Sequence, residues 1–469
     1  MADHQGLAPL RGPDDPRLAS LTVAELVRDP AELAALGGDE SVIPGVTPGA
    51  AVRARSVQDI SAAMAWASQH GVPVTPRGAG SGKAGGCVPA QGALVISLAE
   101  MTSIARVERA HGYAEVEPGV ITGEFRDAMA DDGLFYPPDP ASLDWCTLGG
   151  NVATNAGGPV ALKYGVTGRF VMGLTLVLAD GTVIETGRRQ PKDVAGYDLT
   201  SLVVGSEGTL AVIAGIRLAL LPVPREVRTM LLGFGSLSEA AAAVVDARAA
   251  GVLPRAMELV DPVSLRRVRA GWDRGGLPFG VGDDVQALLL TEVDGPQGST
   301  EAAMDALLAG LQVGPRFVRR AETAQERAEL WATRRELSKR VKAGMAGWVT
   351  EDIAVPLGSM PRVIAELAGI GERHDLQIAA YGHAGDGNLH VNVLWAQPDG
   401  ATRAGAALDE VMALALGVGG TVTGEHGVGR AKRRWLPRQL GDPGLALQRS
   451  LKTAWDPRGI LNPGVGIAP

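Results

Sequence analysis

Three of the seven histidines in this 469-residue chain fall in two short segments beside acidic residues. Tyr381-Gly-His-Ala-Gly-Asp-Gly-Asn-Leu-His-Val-Asn392 carries His383 and His390, and Gly424-Glu-His-Gly-Val-Gly429 carries Glu425 and His426. His383 precedes a Gly385-Asp-Gly387 turn. Alternation along an extended segment from Leu389 to Leu394 then puts His390 and Asn392 on one face. Two imidazoles and the Glu425 carboxylate suit a divalent metal with coordination positions left open for a substrate oxygen. Zinc matches two nitrogens and a carboxylate, and manganese or iron also fit. Each histidine alone is more often a buried, hydrogen-bonded structural side chain. Their clustering favours the metal.

A second chemistry is carried by glycine, 63 of the 469 residues, about 13% and nearly twice ordinary usage. Pro76-Arg-Gly-Ala-Gly-Ser-Gly-Lys-Ala-Gly-Gly-Cys-Val-Pro89 holds five glycines within nine residues, directly after a short apolar run. Consecutive N–H groups with no side chains in the way form an anion nest, which a pyrophosphate suits. It is not a Walker loop, because Ala84 follows Gly82-Lys83, and no helical pattern follows as a dinucleotide fingerprint requires. Tyr136-Pro-Pro-Asp-Pro140, then Thr147-Leu-Gly-Gly-Asn-Val-Ala-Thr-Asn-Ala-Gly-Gly158, then Val204-Gly-Ser-Glu-Gly-Thr-Leu210 continue the theme. Read as loops, they let a backbone wrap a flat ring system with polar edges. Several such loops in one stretch are hard to explain as surface flexibility.

These segments need elements to hold them. Residues 1–39 read as a short helical lead-in. Ser56-Val-Gln-Asp59 looks like a capped helix start, with Val57, Ile60 and Met64 at helical spacing. Val72 to Thr75, Ala93 to Leu98 and Tyr113 to Val116 read as strands. Gly173 to Leu178 and Thr182 to Thr186 flank an Ala179-Asp180-Gly181 hairpin. Thr209 to Pro222 reads as one or two strands, and Pro222-Val-Pro224 marks an expected domain boundary. Beyond it, a strand from Thr229, a helix Ser236 to Ala250, a strand Val285 to Val293 and a helix Ser299 to Leu311 predict helices on one face of a sheet. The charged helix Glu322 to Lys342 should align Leu330, Arg334, Ser338 and Val341.

A net charge of −8 argues against nucleic acid or an anionic membrane surface as partner. With 46% hydrophobic and 20% charged residues, the chain can bury a core. Two cysteines, Cys87 and Cys146, are too few for a disulfide framework. No secretory pattern opens the chain at Met1-Ala-Asp-His-Gln5, and no long uncharged apolar run occurs. A cytoplasmic protein is the expectation, with a homodimer left open.

Taken in order, Arg77 to Gly82, Pro137-Pro-Asp-Pro140, Gly149 to Gly158, Lys192-Asp-Val-Ala-Gly-Tyr-Asp-Leu-Thr200 and Gly205-Ser-Glu-Gly-Thr-Leu210 resemble the FAD-binding domain of the vanillyl-alcohol oxidase and p-cresol methylhydroxylase superfamily. The second half resembles the FAD-linked oxidase C-terminal domain. The resemblance implies a two-domain α+β fold of the PCMH type. Its FAD-binding domain would span residues 40–226 and its substrate domain 227–455, with a tail, 456–469, packing back on the first domain. FAD should be non-covalent, because Ser81-Gly82-Lys83 stands where covalent members carry a histidine. By resemblance, Arg77, Gly78, Ala79, Gly80, Ser81 and Gly82 hold the pyrophosphate. Pro138, Asp139, Ser142, Gly149, Gly150, Asn151, Thr154 and Gly158 line the cofactor. Glu207, Gly208 and Val212 hold its adenosine or ribityl side, and Asn462 comes from the tail.

Together the halves resemble the FAD-dependent D-2-hydroxyacid dehydrogenases, the D-lactate, glycolate and D-2-hydroxyglutarate enzymes. There His383, His390 and Glu425 match the metal ligands, His426 the catalytic base, and Asn392 belongs with the catalytic set. Arg334, in Leu330-Trp-Ala-Thr-Arg334, matches the carboxylate clamp; its alternative is a solvated charge on a helix. Thr350 stands where 2-hydroxyglutarate enzymes place a lysine, so a small acid of the D-lactate or glycolate kind is expected. The electron acceptor is not written in any motif. Runner-up readings are an alcohol or sugar-lactone oxidase with the same FAD domain, and a non-catalytic subunit of a glycolate oxidase-type complex.

Overall fold

The computed structural model describes residues 7–190, 192–270 and 280–467. The opening pentapeptide and the first part of the lead-in lie outside the described residues. Contacts divide the chain into two compact units. One comprises Met1–Gly157, Val166–Val223 and Glu425–Pro469, the other Gly158–Gly165 and Pro224–Gly424.

In the first unit, β1 (Leu26–Val27), β2 (Ala50–Arg53), β3 (Val74–Arg77) and β4 (Leu94–Ser97) form a sheet in the order β1-β2-β4-β3. Its pairs are parallel except for β1 with β2. β5 (Ile104–Glu108), β6 (Tyr113–Val116), β7 (Leu134–Phe135), β8 (Val171–Val177), β9 (Val183–Gly187), β10 (Val212–Ala219) and β11 (Leu221–Pro222) supply two further sheets. These are antiparallel β5-β6-β10-β8-β9 and the pair β11-β7. Helix Val57–His70 begins where Ser56 Oγ accepts from Asp59 N at 3.2 Å and stops at Gly71, whose φ of +66° suits glycine. Its buried Ile60, Ala63, Met64 and Ala67 share one core with Val52, Val74, Leu94 and Ile96 of the first sheet and Val177 and Val212 of the second. The chain's last segment joins the same core. Ile460 and Leu461 are fully buried, and Leu461 bridges Val74, so the outer edge of β3 is covered.

In the second unit, seven strands form one antiparallel sheet: β12 (Glu226–Phe234), β13 (Ala256–Val260), β14 (Ala287–Gly295), β15 (Phe317–Arg320), β16 (Gly347–Ala354), β17 (Gln377–His383) and β18 (Asn388–Trp395). Their order is β15-β12-β14-β13-β17-β18-β16. The expectation of helices on one face is corrected: residues 287–294 of β14 are all buried, so both faces of the sheet are covered. An uninterrupted run such as Ala287-Leu-Leu-Leu is the mark of a strand buried on both sides. Helix Ala324–Lys342 starts in a capping box of Thr323 and Glu326. Its Leu330, Leu337 and Val341 pack with Leu231, Leu288 and Leu290. Leu337, not named in the expected alignment, is buried, and Ser338 is half-buried. Among the described residues no helix is long and apolar enough to cross a membrane.

Candidate functional site

β3 ends at Arg77, and the chain leaves the sheet as Gly78-Ala-Gly-Ser-Gly82. The buried Arg77 guanidinium donates from Nη1 to the Gly38 carbonyl at 2.6 Å and to Cys87 Sγ at 3.4 Å. Gly80 has φ +87°, and a Cβ there would run into that guanidinium, so Arg77 shapes the loop from below. Residues 78–82 are half-buried, and their amides donate to no protein group among the described residues. Five adjacent amides without acceptors, with little side-chain bulk around them, fit the pyrophosphate of FAD.

Gly78 approaches the cap of helix Leu148–Thr154 so closely that a Cβ would meet Thr147 Oγ1. That helix corrects the loop expected from Thr147 onward. Thr147 Oγ1 accepts from Gly150 N at 3.3 Å, and Gly149 packs where a Cβ would lie 2.6 Å from Pro118 Cβ. Asn151 donates to Thr122 Oγ1 at 2.7 Å, and Thr154 Oγ1 to the Gly150 carbonyl at 3.0 Å. The helix ends at Asn155, φ +52°, and the third glycine segment meets its last turn, with Gly205 N bonded to Val152 O and Glu207 N to Ala153 O. Pro138 is buried, and Asp139 and Ser142 are half-buried. Gly208 packs on the Pro76 ring. Val212 is fully buried in the core between the sheets, and Gly158 opens the eight-residue stretch that belongs to the second unit.

In the second unit the buried Glu258, on β13, organises the charged groups. Its Oε2 accepts from Arg334 Nε at 2.7 Å and Nη2 at 2.6 Å, and its Oε1 accepts from His383 Nδ1 at 2.6 Å. Burial works to raise the Glu258 carboxyl, but His383 and Arg334 outweigh it and hold it at about 2. A carboxylate on Nδ1 fixes the tautomer and leaves the Nε2 lone pair outward for a metal. The His390 ring stands 5.2 Å from that of His383, at 84° to it. Two imidazoles, one oriented by a buried carboxylate, fit a divalent metal's donor set. Arg334 is no solvated charge: its side chain is 13% exposed and its guanidinium lies 5.0 Å from the Tyr381 ring centroid.

Asn392 is fully buried. Its Oδ1 accepts from Thr350 Oγ1 at 2.9 Å, and its Nδ2 donates to the Ala379 and His390 carbonyls at 3.3 and 3.2 Å. It therefore braces three neighbouring strands around His390. Asp352, paired with His390 across β16 and β18, accepts from Gly424 N at 2.6 Å and from Thr423 Oγ1 at 3.2 Å. Glu425 follows one peptide bond later. Within the first unit, Glu425 Oε2 packs 3.1 Å from the Cβ position of Gly157, and His426 Nε2 lies 3.9 Å from Glu425 Oε1. Glu207 accepts from Val428 N at 2.6 Å and Gly429 N at 2.7 Å, and burial still pushes its carboxyl up.

Sequence reasoning missed Glu258 and Asp352. Glu258 stands in the apolar run Ala256-Met-Glu-Leu-Val260, and a charge in such a run requires a buried partner. That signal was available. It also missed Asp294, which is buried and accepts from Tyr164 Oη at 2.6 Å, Arg255 Nη1 at 3.0 Å and Lys163 Nζ.

Comparisons with known proteins give the family and the fold. Residues 48–187 match the FAD binding domain, and residues 223–465 match the C-terminal domain of FAD linked oxidases. Glycolate oxidase subunit GlcD of Bacillus subtilis is 38% identical over 89% of this chain and 88% of its own length. D-lactate dehydrogenase of Archaeoglobus fulgidus is 33% identical over 90% and 93%. The fold is that of p-cresol methylhydroxylase, with a TM-score of 0.79 at 16% identity over 96% and 95% of the two chains. Alkyldihydroxyacetonephosphate synthase shares it at 0.75, with 18% identity over 96% and 84%. With both of its domains matched along nearly the whole chain, this protein belongs to the FAD-linked oxidases, as a two-domain α+β oxidoreductase that binds FAD.

Proposed function

We propose that this protein oxidises a small D-2-hydroxy acid, of the lactate or glycolate kind, to the 2-oxo acid. The single observation behind the assignment is the Glu258 carboxylate, which holds Arg334 on one oxygen and His383 on the other. A cation for a carboxylate and an imidazole for a metal are thus neighbours. A 2-hydroxy acid presents its carboxylate and hydroxyl on adjacent carbons, as that pair demands. An alcohol or a lactone has no free carboxylate for Arg334. Relatives named glycolate oxidase subunit and D-lactate dehydrogenase support the same substrate class and its D configuration.

In this reading Arg334 clamps the substrate carboxylate with the N–H groups that Glu258 leaves over. His383, His390 and Glu425 would hold a divalent metal, zinc or manganese, which supplies Lewis acidity that eases ionisation of the substrate hydroxyl. His426 takes the hydroxyl proton as general base. Asn392 and Thr350 position His390, and Thr350 offers no charge to a second carboxylate. The amides of residues 78–82 would hold FAD, non-covalently, and the flavin would supply the acceptor for the hydride from C2.

A panel of D- and L-2-hydroxy acids with an artificial dye as acceptor tests the assignment. D-lactate or glycolate should be turned over best. Faster oxidation of a primary alcohol or a lactone than of any acid would overturn it, and D-2-hydroxyglutarate as best substrate would overturn the size preference.

A further inference from the structure

We infer that Glu207 is a positioning residue that couples the filling of the glycine cradle to the placement of Glu425 and His426. Only the roles of Glu425 and His426 are taken from the proposed function. Every contact involved lies within the first unit.

Glu207 sits in the left-handed region, φ +53°, between Gly205 and Gly208. Its N–H donates to Ala153 O at 2.7 Å, in the last turn of helix Leu148–Thr154. Its carbonyl accepts from Asn462 Nδ2 at 2.8 Å, and the same amide reaches Gly86 O at 2.7 Å, in the first glycine segment. Its carboxylate receives the N–H groups of Val428 and Gly429. One residue is thus bonded to the second glycine segment, linked through Asn462 to the first, and bonded to the chain two residues beyond His426.

That chain has no freedom of its own. Gly427, φ +80°, has no room for a Cβ beside Glu207 Oε1, and Gly429, φ +50°, none beside the Ala84 carbonyl. The Ala84 carbonyl accepts from Arg430 N at 2.8 Å and Ala431 N at 3.1 Å. Asn462 is itself fixed, because buried Lys452 donates to Leu461 O at 2.8 Å and pairs with Asp456, which accepts from Ile460 N and Leu461 N. A segment wedged against residues 84–86 and 205–208 is ordered only as well as they are.

The choice of a carboxylate is informative. A buried charge is costly, and two adjacent amide donors are what offset it at Glu207. A glutamine side chain has one acceptor oxygen and would turn an N–H group against the other amide. Shape alone would tolerate Glu207→Gln. Coupling would not.

Hydrogen exchange read by mass spectrometry, on apoprotein and FAD-loaded protein without substrate, tests the inference. FAD should slow exchange across residues 78–86, and in the wild type also across 426–431 by about tenfold, a common size for coupling between sites. In Glu207→Gln, with FAD raised until the flavin spectrum saturates and the protection of residues 78–86 taken as the reference for bound FAD, the gain at 426–431 should fall below about threefold. Glu207→Asp, which keeps the charge, should fall between. Equal gains at 426–431 in wild type and Glu207→Gln overturn the inference. So does an absence of gain in the wild type, a result that stands even if the variants fail to fold. A protein that binds FAD but oxidises no hydroxy acid would fail the proposed function and leave the exchange result intact.

Discussion

At Glu258 one buried carboxylate serves both Arg334 and His383, so neither partner can be altered without touching the other. Glu258→Gln leaves a single acceptor oxygen for both and points an N–H group at one of them. We expect kcat/KM to fall by about 10- to 100-fold, because partners that orient metal-binding histidines matter on that scale. Arg334→Lys keeps the charge but loses the planar fork that spans Glu258 and a substrate carboxylate. A charge-assisted bond contributes about 1.5–3 kcal/mol, so about a 10- to 100-fold loss follows for every acid in the panel alike. Steady-state kinetics check both, and an unchanged kcat/KM for Arg334→Lys would reduce Arg334 to a structural partner of Glu258. The histidines and Arg334 were visible in the sequence because they are rare types in distinctive spacing. Glu258 was visible only as a charge in an apolar run; nothing local says that it faces residues 76 and 125 positions away.

The elements place these side chains through their own polar ties. On β14, buried Glu292 accepts from Arg327 Nε and Nη2 at 2.7 and 2.9 Å, from Trp331 Nε1 at 2.8 Å and from Thr229 Oγ1 at 2.6 Å. It anchors the helix that carries Arg334. Burial works to raise its carboxyl, but Arg327 foremost outweighs this and the group lies lower than when free. A depressed folded value gives stability that is present above the unfolded value near ~4.3 and lost as pH falls through the folded one. Urea midpoints at pH 7 and pH 3.5 should therefore drop further in the wild type than in Glu292→Gln, and equal drops would refute the tie. The variant should also be less stable at pH 7 by about 3 kcal/mol, the usual result of breaking a buried pair. Gly80→Ala should weaken FAD binding about tenfold or more, since a left-handed alanine loses about 1–2 kcal/mol before its methyl meets Arg77. Fluorescence titration of apoprotein reads it, and an unchanged affinity would remove residues 78–82 from the cradle. Periodicity and caps made four helices legible, Val57–His70 and Ala324–Lys342 among them, while Met360–His374, Gly400–Gly417 and Leu436–Trp455 were not read. Helix Leu148–Thr154 was hidden because its glycines are chosen for close approach to Pro118 and Gly78's loop, which local propensity counts against a helix.

The chain passes between its units more often than sequence punctuation reveals. The crossing after Val223 carries prolines that any reading can use. The return at Glu425 carries none, and in the excursion 158–165 Pro159 alone marks no boundary, because what commits that stretch is distant: Lys163 and Tyr164 are held by Asp294, some 130 positions on. The consequence for function is that FAD and metal should be separable. The amides of residues 78–82 belong wholly to the first unit, and His383 and His390, with their Glu258 brace, wholly to the second. A chelator should abolish activity while the protein stays yellow, and zinc or manganese should restore turnover. The converse differs: stripping FAD should weaken metal binding without abolishing it, because two imidazole ligands remain braced when the Glu425 segment loosens. Acid precipitation should release the flavin into the supernatant, as no histidine anchor exists between Arg77 and Pro89. Elemental analysis alongside the visible spectrum decides the matter. Full activity in protein shown to be metal-free would end the role given to His383, His390 and Glu425, and colour that stays with the precipitate would show a covalent flavin. Flavin lost together with metal would mean that the two sites are not built independently, and that Glu425 rather than the histidine pair dominates metal affinity.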